Sequence, residues 1–185
     1  KLGHVACQDA KTKYIGPLSR FCKIDLKIKY DLLVLLSGPE PQRTLLEEKL
    51  VTSLSQYSGN IVFVKGIIEP HQKTVQEGNI LFYNFMKTSR LEKTINESNF
   101  VLCRSGYTTV MDLAKLRKKA FFIPTPGQFE QEYLAKKLEK EGLVPFCFQD
   151  DFTIQSLDTI QNYKGLSDFD ETVNWQHLFR LFECK

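Results

Sequence analysis

The most constraining feature of the chain is the stretch from Asn99 to Ala135, in which two short apolar runs each lead through a polar corner into a helical pattern. The first run, residues 100–103, meets Arg104-Ser105-Gly106, and the second, residues 120–123, ends in Pro-Thr-Pro-Gly. Short buried strands that alternate with helices are typical of an open α/β sheet, whose ligands bind beyond the carboxyl ends of the strands. The pattern therefore predicts a ligand site at two strand-to-helix corners.

The rest of the chain continues this alternation. Residues 31–36 read D-L-L-V-L-L, which is typical of a strand buried on both faces of a parallel sheet. We expect an α/β fold, a doubly wound Rossmann-like parallel sheet with helices on both faces. Further strands are predicted at 60–64, 79–83 and 145–148, helices after Pro41 and at 89–98, 107–117, 129–141, 151–163 and 170–182, and a loop at 65–78. The predicted domains are a linker-like segment at 1–30, a ligand-binding α/β domain at 31–150, and carboxyl-terminal helices at 151–185 that pack on it.

Composition narrows the class of protein. The chain has 185 residues and is 42% hydrophobic, enough for one domain with a sizeable core. Its net charge of +3 is too small to indicate nucleic acid as a partner. The cysteines number 5 with no C-x-x-C spacing, which argues against a disulfide framework or a zinc site and favours a reduced, cytoplasmic chain. We expect neither a membrane span nor a signal peptide, because no apolar run is long enough and the first residues lack an apolar centre.

The first corner suits a phosphate. We expect Gly106 to allow a tight turn, after which the amides of Tyr107, Thr108 and Thr109 point at an anion from the positive end of a helix dipole. Arg104, beside Ser105, is expected to contact a diphosphate; the alternative is an ion pair with a nearby acid such as Glu130. The corner lacks the G-x-x-x-x-G-K-[ST] pattern, which argues against an ATPase.

Two further groups flank that corner. Asp112 lies on the second turn of the predicted helix, where its carboxylate suits a ribose diol; the alternative is a carboxylate that interacts only with the helix dipole. Ser37-Gly38 follows the first strand, where glycine lets the backbone approach a phosphate closely; a simple strand-to-helix turn is the equal alternative.

The second corner opens a helix with polar side chains that suit sugar hydroxyls, since amides both donate and accept hydrogen bonds. These residues are Gln128, Glu130, Gln131 and Glu132. None of the three histidines lies in the motif region, and no nucleophile–base pair is evident. The sequence thus predicts a binding site, without a metal site and without an assigned catalytic residue.

These residues resemble the carboxyl-terminal half of a two-domain (GT-B) glycosyltransferase of family 28, over about residues 30–150. The resemblance lies in Cys103-Arg104-Ser105-Gly106, the acid Asp112, Ile123-Pro124 and Gln131-Glu132-Tyr133. The first loop, S-G-P-E-P, departs from the glycine-rich loop of the cell-wall enzymes in the family.

The resemblance implies a role for each matching position. The amides of residues 107–109 would bind the nucleotide diphosphate, Asp112 the ribose and Gln131 the hexose. Glu132 stands where the cell-wall enzymes have a second glutamine, and Ser37-Gly38 matches the loop after the first strand. The base of the nucleotide would lie against the protein backbone near residues 85–88.

The function implied is that of the nucleotide-sugar-binding half, with UDP-hexose as donor, of an inverting glycosyltransferase that transfers a hexosyl group to an acceptor hydroxyl. It implies no cofactor and no required metal. The general base and the acceptor site would lie in an amino-terminal domain or a partner subunit, without which the chain would be inactive and through which it would touch a membrane peripherally. Two alternatives remain open: a UDP-sugar hydrolase or 2-epimerase, and a non-catalytic donor-binding subunit that needs a partner.

Overall fold

The structure, a computed structural model, describes residues 18–167, which form a six-stranded sheet with helices on both of its faces. The strands are β1 (Tyr30–Leu35), β2 (Ile61–Val64), β3 (Thr74–Glu77), β4 (Ile80–Tyr83), β5 (Ser98–Cys103) and β6 (Lys119–Phe122). The helices are α1 (Gln42–Leu54), α2 (Thr88–Asn96), α3 (Tyr107–Lys115) and α4 (Phe129–Lys140), followed by two 3-10 helices, Gln149–Asp151 and Ile154–Asn162.

The strand order is β3-β4-β2-β1-β5-β6, and every pair is parallel except β3 with β4. This arrangement confirms the predicted Rossmann-like α/β fold. The antiparallel strand β3 lies in the segment 65–78, which the sequence predicts to be a loop, so that prediction is wrong there. All four residues of β3 are exposed, and an edge strand of sequence T-V-Q-E lacks the apolar run that reveals a buried strand.

The chain after α4 also differs from the prediction. Residues 145–148 make only a single parallel bridge, between Phe146 and Phe122, instead of the expected strand. Pro145 has no N–H with which to extend a ladder. The helix expected at 151–163 is a 3-10 helix that begins at Ile154. The helix expected at 170–182 lies outside the described residues.

Two apolar layers hold the fold together, because alternate residues of each strand face opposite sides of the sheet. On one side Leu33, Val101 and Phe122 pack with residues of α2, α3 and α4. On the other side Leu32, Phe63 and Phe121 pack with α1 and with the second 3-10 helix. The central strands are therefore covered on both faces, as the apolar run 31–36 predicts.

Residues 18–29, named the strap hereafter, have no regular secondary structure but are firmly attached. Phe21 is only 2% exposed and belongs to the core on the α2–α3–α4 side. The buried Asn96 of α2 accepts from the backbone N–H of Ile24 and donates to the carbonyl of Cys22, at 3.1 and 3.2 Å. This part of the predicted linker thus packs as part of the domain.

Candidate functional site at the carboxyl edge of the sheet

The site lies where β1, β5 and β6 end side by side. From β1 the chain moves to β2 on one side of the sheet, and it later returns to β5 on the other side of β1. Such a reversal leaves a crevice beyond the carboxyl ends of the two strands, where open α/β sheets bind ligands. Three loops border this crevice: residues 36–41 after β1, 104–106 after β5 and 123–128 after β6.

Helix α3 begins beside the crevice without a side-chain cap. Gly106 is its N-cap residue and has no side chain with which to cap the helix. The amide of Val110 donates to the Gly106 carbonyl at 3.0 Å, so the amides of Tyr107, Thr108 and Thr109 precede this first intrahelical bond. Unsatisfied donors at the positive end of a helix dipole form a ready anion site.

Gly106 differs from its predicted role. Its φ of −69° and ψ of 144° are open to any residue, so the turn here does not depend on the conformational freedom of glycine. A Cβ at this position would meet nothing within 4 Å. The residue that precedes α3 therefore carries no side chain, and the space where one would begin is open.

Arg104 lies in the interior of the domain. It is only 1% exposed. Its Nη1 donates to the carbonyls of Ile123 and Pro124, at 3.2 and 2.9 Å. Its Nη2 donates to the carbonyl of Gln42 and to Oε1 of Gln149, at 2.9 and 2.8 Å. The guanidinium thus joins the loop after β5 to the loop after β6, the start of α1 and the first 3-10 helix.

Burial lowers the pKa of the Arg104 guanidinium to about 10, which leaves it charged at neutral pH. The alternative of an ion pair with Glu130 is not seen in the described structure, where Glu130 is exposed. The Arg104 donors described above are directed at protein acceptors, so the expected diphosphate contact would require them to be released. Arg104 therefore connects the loops around the site through hydrogen bonds within the protein.

The second corner is locked to the first. The hydroxyl of Ser105 donates to the backbone carbonyl of Gln131 at 2.8 Å. The side chain of Gln131 accepts from the amide of Thr125 at 2.9 Å and donates to Oε1 of Gln128. Glutamine side chains that the sequence assigns to sugar hydroxyls therefore also shape the start of α4. An amide has further donor and acceptor capacity, which leaves both glutamines able to meet a ligand.

Glu132 has a similar double use. One carboxylate oxygen accepts from the amide of Gly127 at 3.2 Å, and the other lies 3.8 Å from Nζ of Lys136. The α4 start thus presents an anion that is partly neutralised by its own helix.

The loop after β1 meets the loop after β6. Ser37 and Gly38 are both exposed, and Gly38 has a φ of +112°, a conformation that favours glycine. A Cβ on Gly38 would lie 3.8 Å from Oγ1 of Thr125. Ser37-Gly38 therefore borders the same crevice as the two corners, on its β1 side.

Three buried polar atoms near this junction have no hydrogen-bond partner: Oε1 of Gln42, Nε of Arg104 and Oγ1 of Thr125. Buried polar groups are nearly always paired with protein or with ordered water. The junction therefore has unused hydrogen-bonding capacity. Sequence reasoning missed Gln42, Thr125 and Gln149; only the polar Thr125 between two prolines gave a signal.

Asp112 lies on α3 and is 8% exposed. The hydroxyl of Ser19, in the strap, donates to its Oδ1 at 2.6 Å. The sequence gives no hint of this contact, since the two residues are 93 positions apart.

Other classes of site find little support in the part of the chain that the structure describes. Within residues 18–167 no three or more His, Cys, Asp or Glu side chains lie together in a way that could hold a metal ion. His71 is exposed, while His4 and His177 lie outside these residues. No helix in the same range is long and apolar enough to cross a bilayer.

Comparison with known proteins gives a consistent picture. The sequence profile of the glycosyltransferase family 28 C-terminal domain matches residues 42–162. One relative is the UDP-N-acetylglucosamine--N-acetylmuramyl-(pentapeptide) pyrophosphoryl-undecaprenol N-acetylglucosamine transferase of Glaesserella parasuis. It is 28% identical over 138 residues, which are 69% of this chain and 38% of the relative. The chain thus spans about two fifths of the length of the curated relatives it matches.

Solved structures share the fold. Acinetobacter baumannii MurG superposes with a TM-score of 0.52 at 21% identity, over 77% of this chain and 44% of that one. ALG13, solved by NMR, superposes with a TM-score of 0.53 at 16% identity, over 77% of this chain and 90% of that one. The same fold therefore makes up part of one of these chains and nearly all of the other.

Proposed function

The chain belongs to the glycosyltransferase family 28 C-terminal domains, and on that premise we propose that it binds the donor, a UDP-hexose, for an inverting transfer of the hexosyl group to an acceptor hydroxyl. The observation that carries the proposal is the start of α3. Its amides lack a side-chain cap, the space beside Gly106 is open, and the helix begins directly after β5, which neighbours β1 at the reversal of strand order.

The pyrophosphate would lie against the amides of residues 107–109, with the exposed Ser37-Gly38 loop opposite. Fixed dipoles of this kind stabilise the charge that develops on a leaving diphosphate. The ribose would meet Asp112, and the hexose would extend towards Gln128 and Gln131, with Glu132 beside them. In this arrangement Arg104 and Ser105 hold the two corners together from beneath the ligand.

In the transfer itself, the acceptor oxygen would attack the anomeric carbon from the face opposite the diphosphate. The new C–O bond forms as the sugar–phosphate bond breaks, the electron pair leaves with UDP, and the acceptor proton passes to a general base. We place that base and the acceptor site in a second half, an amino-terminal domain or a partner subunit. The relatives are more than twice as long as the matched region, which supports such a second half.

The choice of UDP rests on the relative from Glaesserella parasuis, whose name specifies UDP-N-acetylglucosamine as its donor. We also propose that the chain is cytoplasmic, because its 5 cysteines are odd in number and show no C-x-x-C spacing, which argues against a disulfide framework. Any contact with a membrane would be made by the second half. Charge stabilisation by amides makes metal-independent binding part of the proposal.

Calorimetric titration of the full 185-residue chain with UDP, UDP-N-acetylglucosamine and UMP tests the proposal. We expect UDP and the UDP-sugar to bind with a Kd in the micromolar-to-millimolar range and UMP to bind more weakly, because it lacks the second phosphate. No heat of binding and no rise in melting temperature with any UDP compound would overturn the proposed function.

A second reading has one specific observation in its favour. The fold covers 90% of the ALG13 chain, so a domain of this kind exists without a second half of equal size in its own polypeptide. The chain would then be a donor-binding subunit that is inactive until a separate partner supplies the acceptor site. Assaying sugar transfer with and without co-expressed partner candidates from the same genome distinguishes the two arrangements: a chain active alone excludes the subunit reading.

A further inference from the structure

We propose that Ser19 of the strap is a positioning residue for Asp112, which it holds in the orientation that receives the donor ribose. The inference rests on the proposed function, since it assigns a partner to one group of that same site. It concerns a contact between the amino-terminal segment and the donor crevice that the family resemblance does not supply.

The Ser19 hydroxyl has a defined direction. Its oxygen accepts a hydrogen bond from the backbone N–H of Phe21 at 3.0 Å. Its one proton is donated to Oδ1 of Asp112 at 2.6 Å. A hydroxyl has a single proton, so that proton cannot rotate away without loss of the contact with Asp112, while the bond from Phe21 holds the oxygen in place. The carboxylate is thereby bound to a fixed donor.

The strap itself cannot easily move. The Phe21 ring is buried in the core beside α3. The buried Asn96 accepts from the backbone N–H of Ile24 and donates to the carbonyl of Cys22, which holds the backbone on either side of Lys23. The amide of Cys22 also donates to Glu92 at 2.6 Å. Because the strap is fixed, the bond from Ser19 restricts the Asp112 side chain, whose two torsions would otherwise be free to rotate.

A carboxylate has about four lone-pair sites, so the bond from Ser19 leaves room for a ribose diol. Pre-organisation means that the ligand need not order the side chain on binding. Loss of the hydroxyl should therefore weaken the bond between Asp112 and the ribose specifically, and leave contacts with the diphosphate unchanged.

The test compares UDP with 2′-deoxy-UDP, which lacks one ribose hydroxyl, in calorimetric titrations of the full chain. For the wild type we expect UDP to bind about tenfold more tightly than 2′-deoxy-UDP. Ser19→Ala should weaken UDP about three- to fivefold, change 2′-deoxy-UDP less than about twofold, and so reduce the ratio. Ser19→Thr, which keeps the hydroxyl, should restore it.

Ser55→Ala is the matched control, because Ser55 makes a side-chain bond to Thr52 at the far end of α1. It should leave both affinities unchanged. An unaltered ratio in Ser19→Ala, an equal loss for both nucleotides, or tighter UDP binding would overturn the positioning role while the proposed function stands. If the wild type binds neither nucleotide, the proposed function fails and this inference fails with it.

Discussion

Arg104 and Gly106 lie on the same short loop after β5 and contribute to the site in opposite ways. The buried guanidinium of Arg104 fills the interior and joins three other segments through backbone and side-chain oxygens. Gly106, one residue beyond Ser105, leaves open the space that a side chain would enter at the start of α3. Arg104 therefore fixes the loops that border the crevice, whereas Gly106 leaves room beside them.

Replacing Gly106 by alanine separates binding from folding. Its backbone conformation admits alanine, but helix N-cap positions favour glycine over alanine, which offsets the gain in chain entropy, so we expect the free energy of unfolding to change by less than about 1 kcal/mol. The added methyl would occupy the open space at the start of α3, and UDP affinity should fall about tenfold or more. Urea unfolding and calorimetry measure the two effects.

Gly78→Ala is the contrasting control, because Gly78 has a φ of +56° in the turn between β3 and β4. It should lower stability and leave UDP affinity unchanged. Unchanged UDP affinity in Gly106→Ala would show that no phosphate approaches α3 at this point.

Arg104→Lys tests the tie between the loops. A lysine keeps the charge but cannot span acceptors on both sides of the guanidinium, so buried carbonyls lose their partners. We expect a loss of about 2–4 kcal/mol in the free energy of unfolding, measured with urea. Arg90→Lys is the control, because its contact with the Tyr83 hydroxyl is long, at 3.5 Å. A loss no larger than that of the control would contradict the structural role.

At the scale of elements, the strap is packed more firmly than its sequence pattern indicates. Residues 18–29 contain no periodic apolar pattern, yet they are held by one buried ring and by hydrogen bonds to α2 and α3. The strap links the amino-terminal side of the domain to the helix that begins at the crevice. Its stability therefore bears on ligand binding as well as on folding.

Phe21→Ala measures how much the strap contributes. Removing a ring that is 2% exposed should lower the free energy of unfolding by about 3–5 kcal/mol. Ile24→Ala, at a position in the same strap that is 43% exposed, should change it by less than about 1 kcal/mol. Equal effects in thermal or urea unfolding would mean that the strap does not form part of the cooperative unit.

The elements that the sequence predicts well are those with strong local signals. The apolar strands β1, β5 and β6 and helices α3 and α4 lie where the pattern places them, within two residues at most of their boundaries. The strand β3 was missed because four exposed residues have no buried face to reveal them. Residues 145–148 have the apolar pattern of a strand, but they pack with only a single bridge to β6 instead of a ladder of hydrogen bonds.

The site was predictable to a lesser depth. The two corners and the acid are visible as local patterns, and the parallel sheet brings the two corners to one edge. Three side-chain contacts of the site join residues that are far apart in the sequence. Ser105 bonds to Gln131, Arg104 to Gln149 and Asp112 to Ser19, over separations of 26, 45 and 93 positions, and no local pattern encodes them. The sequence shows which polar groups lie at the edge, whereas the fold decides which of them remain available to a ligand.

At the scale of the whole molecule, stability should fall in alkali because of two thiols, one of them buried and the other partly buried. Burial raises the pKa of the Cys103 thiol, and it raises the pKa of Cys147 to about 12. In the unfolded chain both ionise near their ordinary pKa of about 8.5, so the unfolded state releases protons first and is favoured as the pH rises. The stabilisation is complete below that pH and is lost progressively up to about pH 12.

The measurement is the free energy of unfolding between pH 7 and the alkaline limit, in wild type and in the Cys103→Ala, Cys147→Ala double variant. The wild type should lose stability more steeply with pH than the double variant. Cys22→Ala should keep the wild-type slope, because Cys22 is an exposed free cysteine. Identical slopes in all three proteins would show that these thiols ionise without unfolding.

The whole domain should also bind UDP without a divalent ion. Because backbone amides would supply the positive field, we expect the Kd for UDP to differ by less than about twofold between EDTA and millimolar Mg²⁺. Titrations of the same preparation in both buffers measure this. An affinity that collapses in EDTA would place a metal between the protein and the diphosphate.

The guanidinium of Arg104 takes its partners from positions 42, 123, 124 and 149, which belong to the beginning, middle and end of the domain. A nascent polypeptide on the ribosome that has emerged only through β5 possesses the α1 partner but none of the other three. The crevice is therefore among the last features to be completed during synthesis. Only a fully translated domain would then bind the nucleotide. A truncated product would compete poorly for the donor.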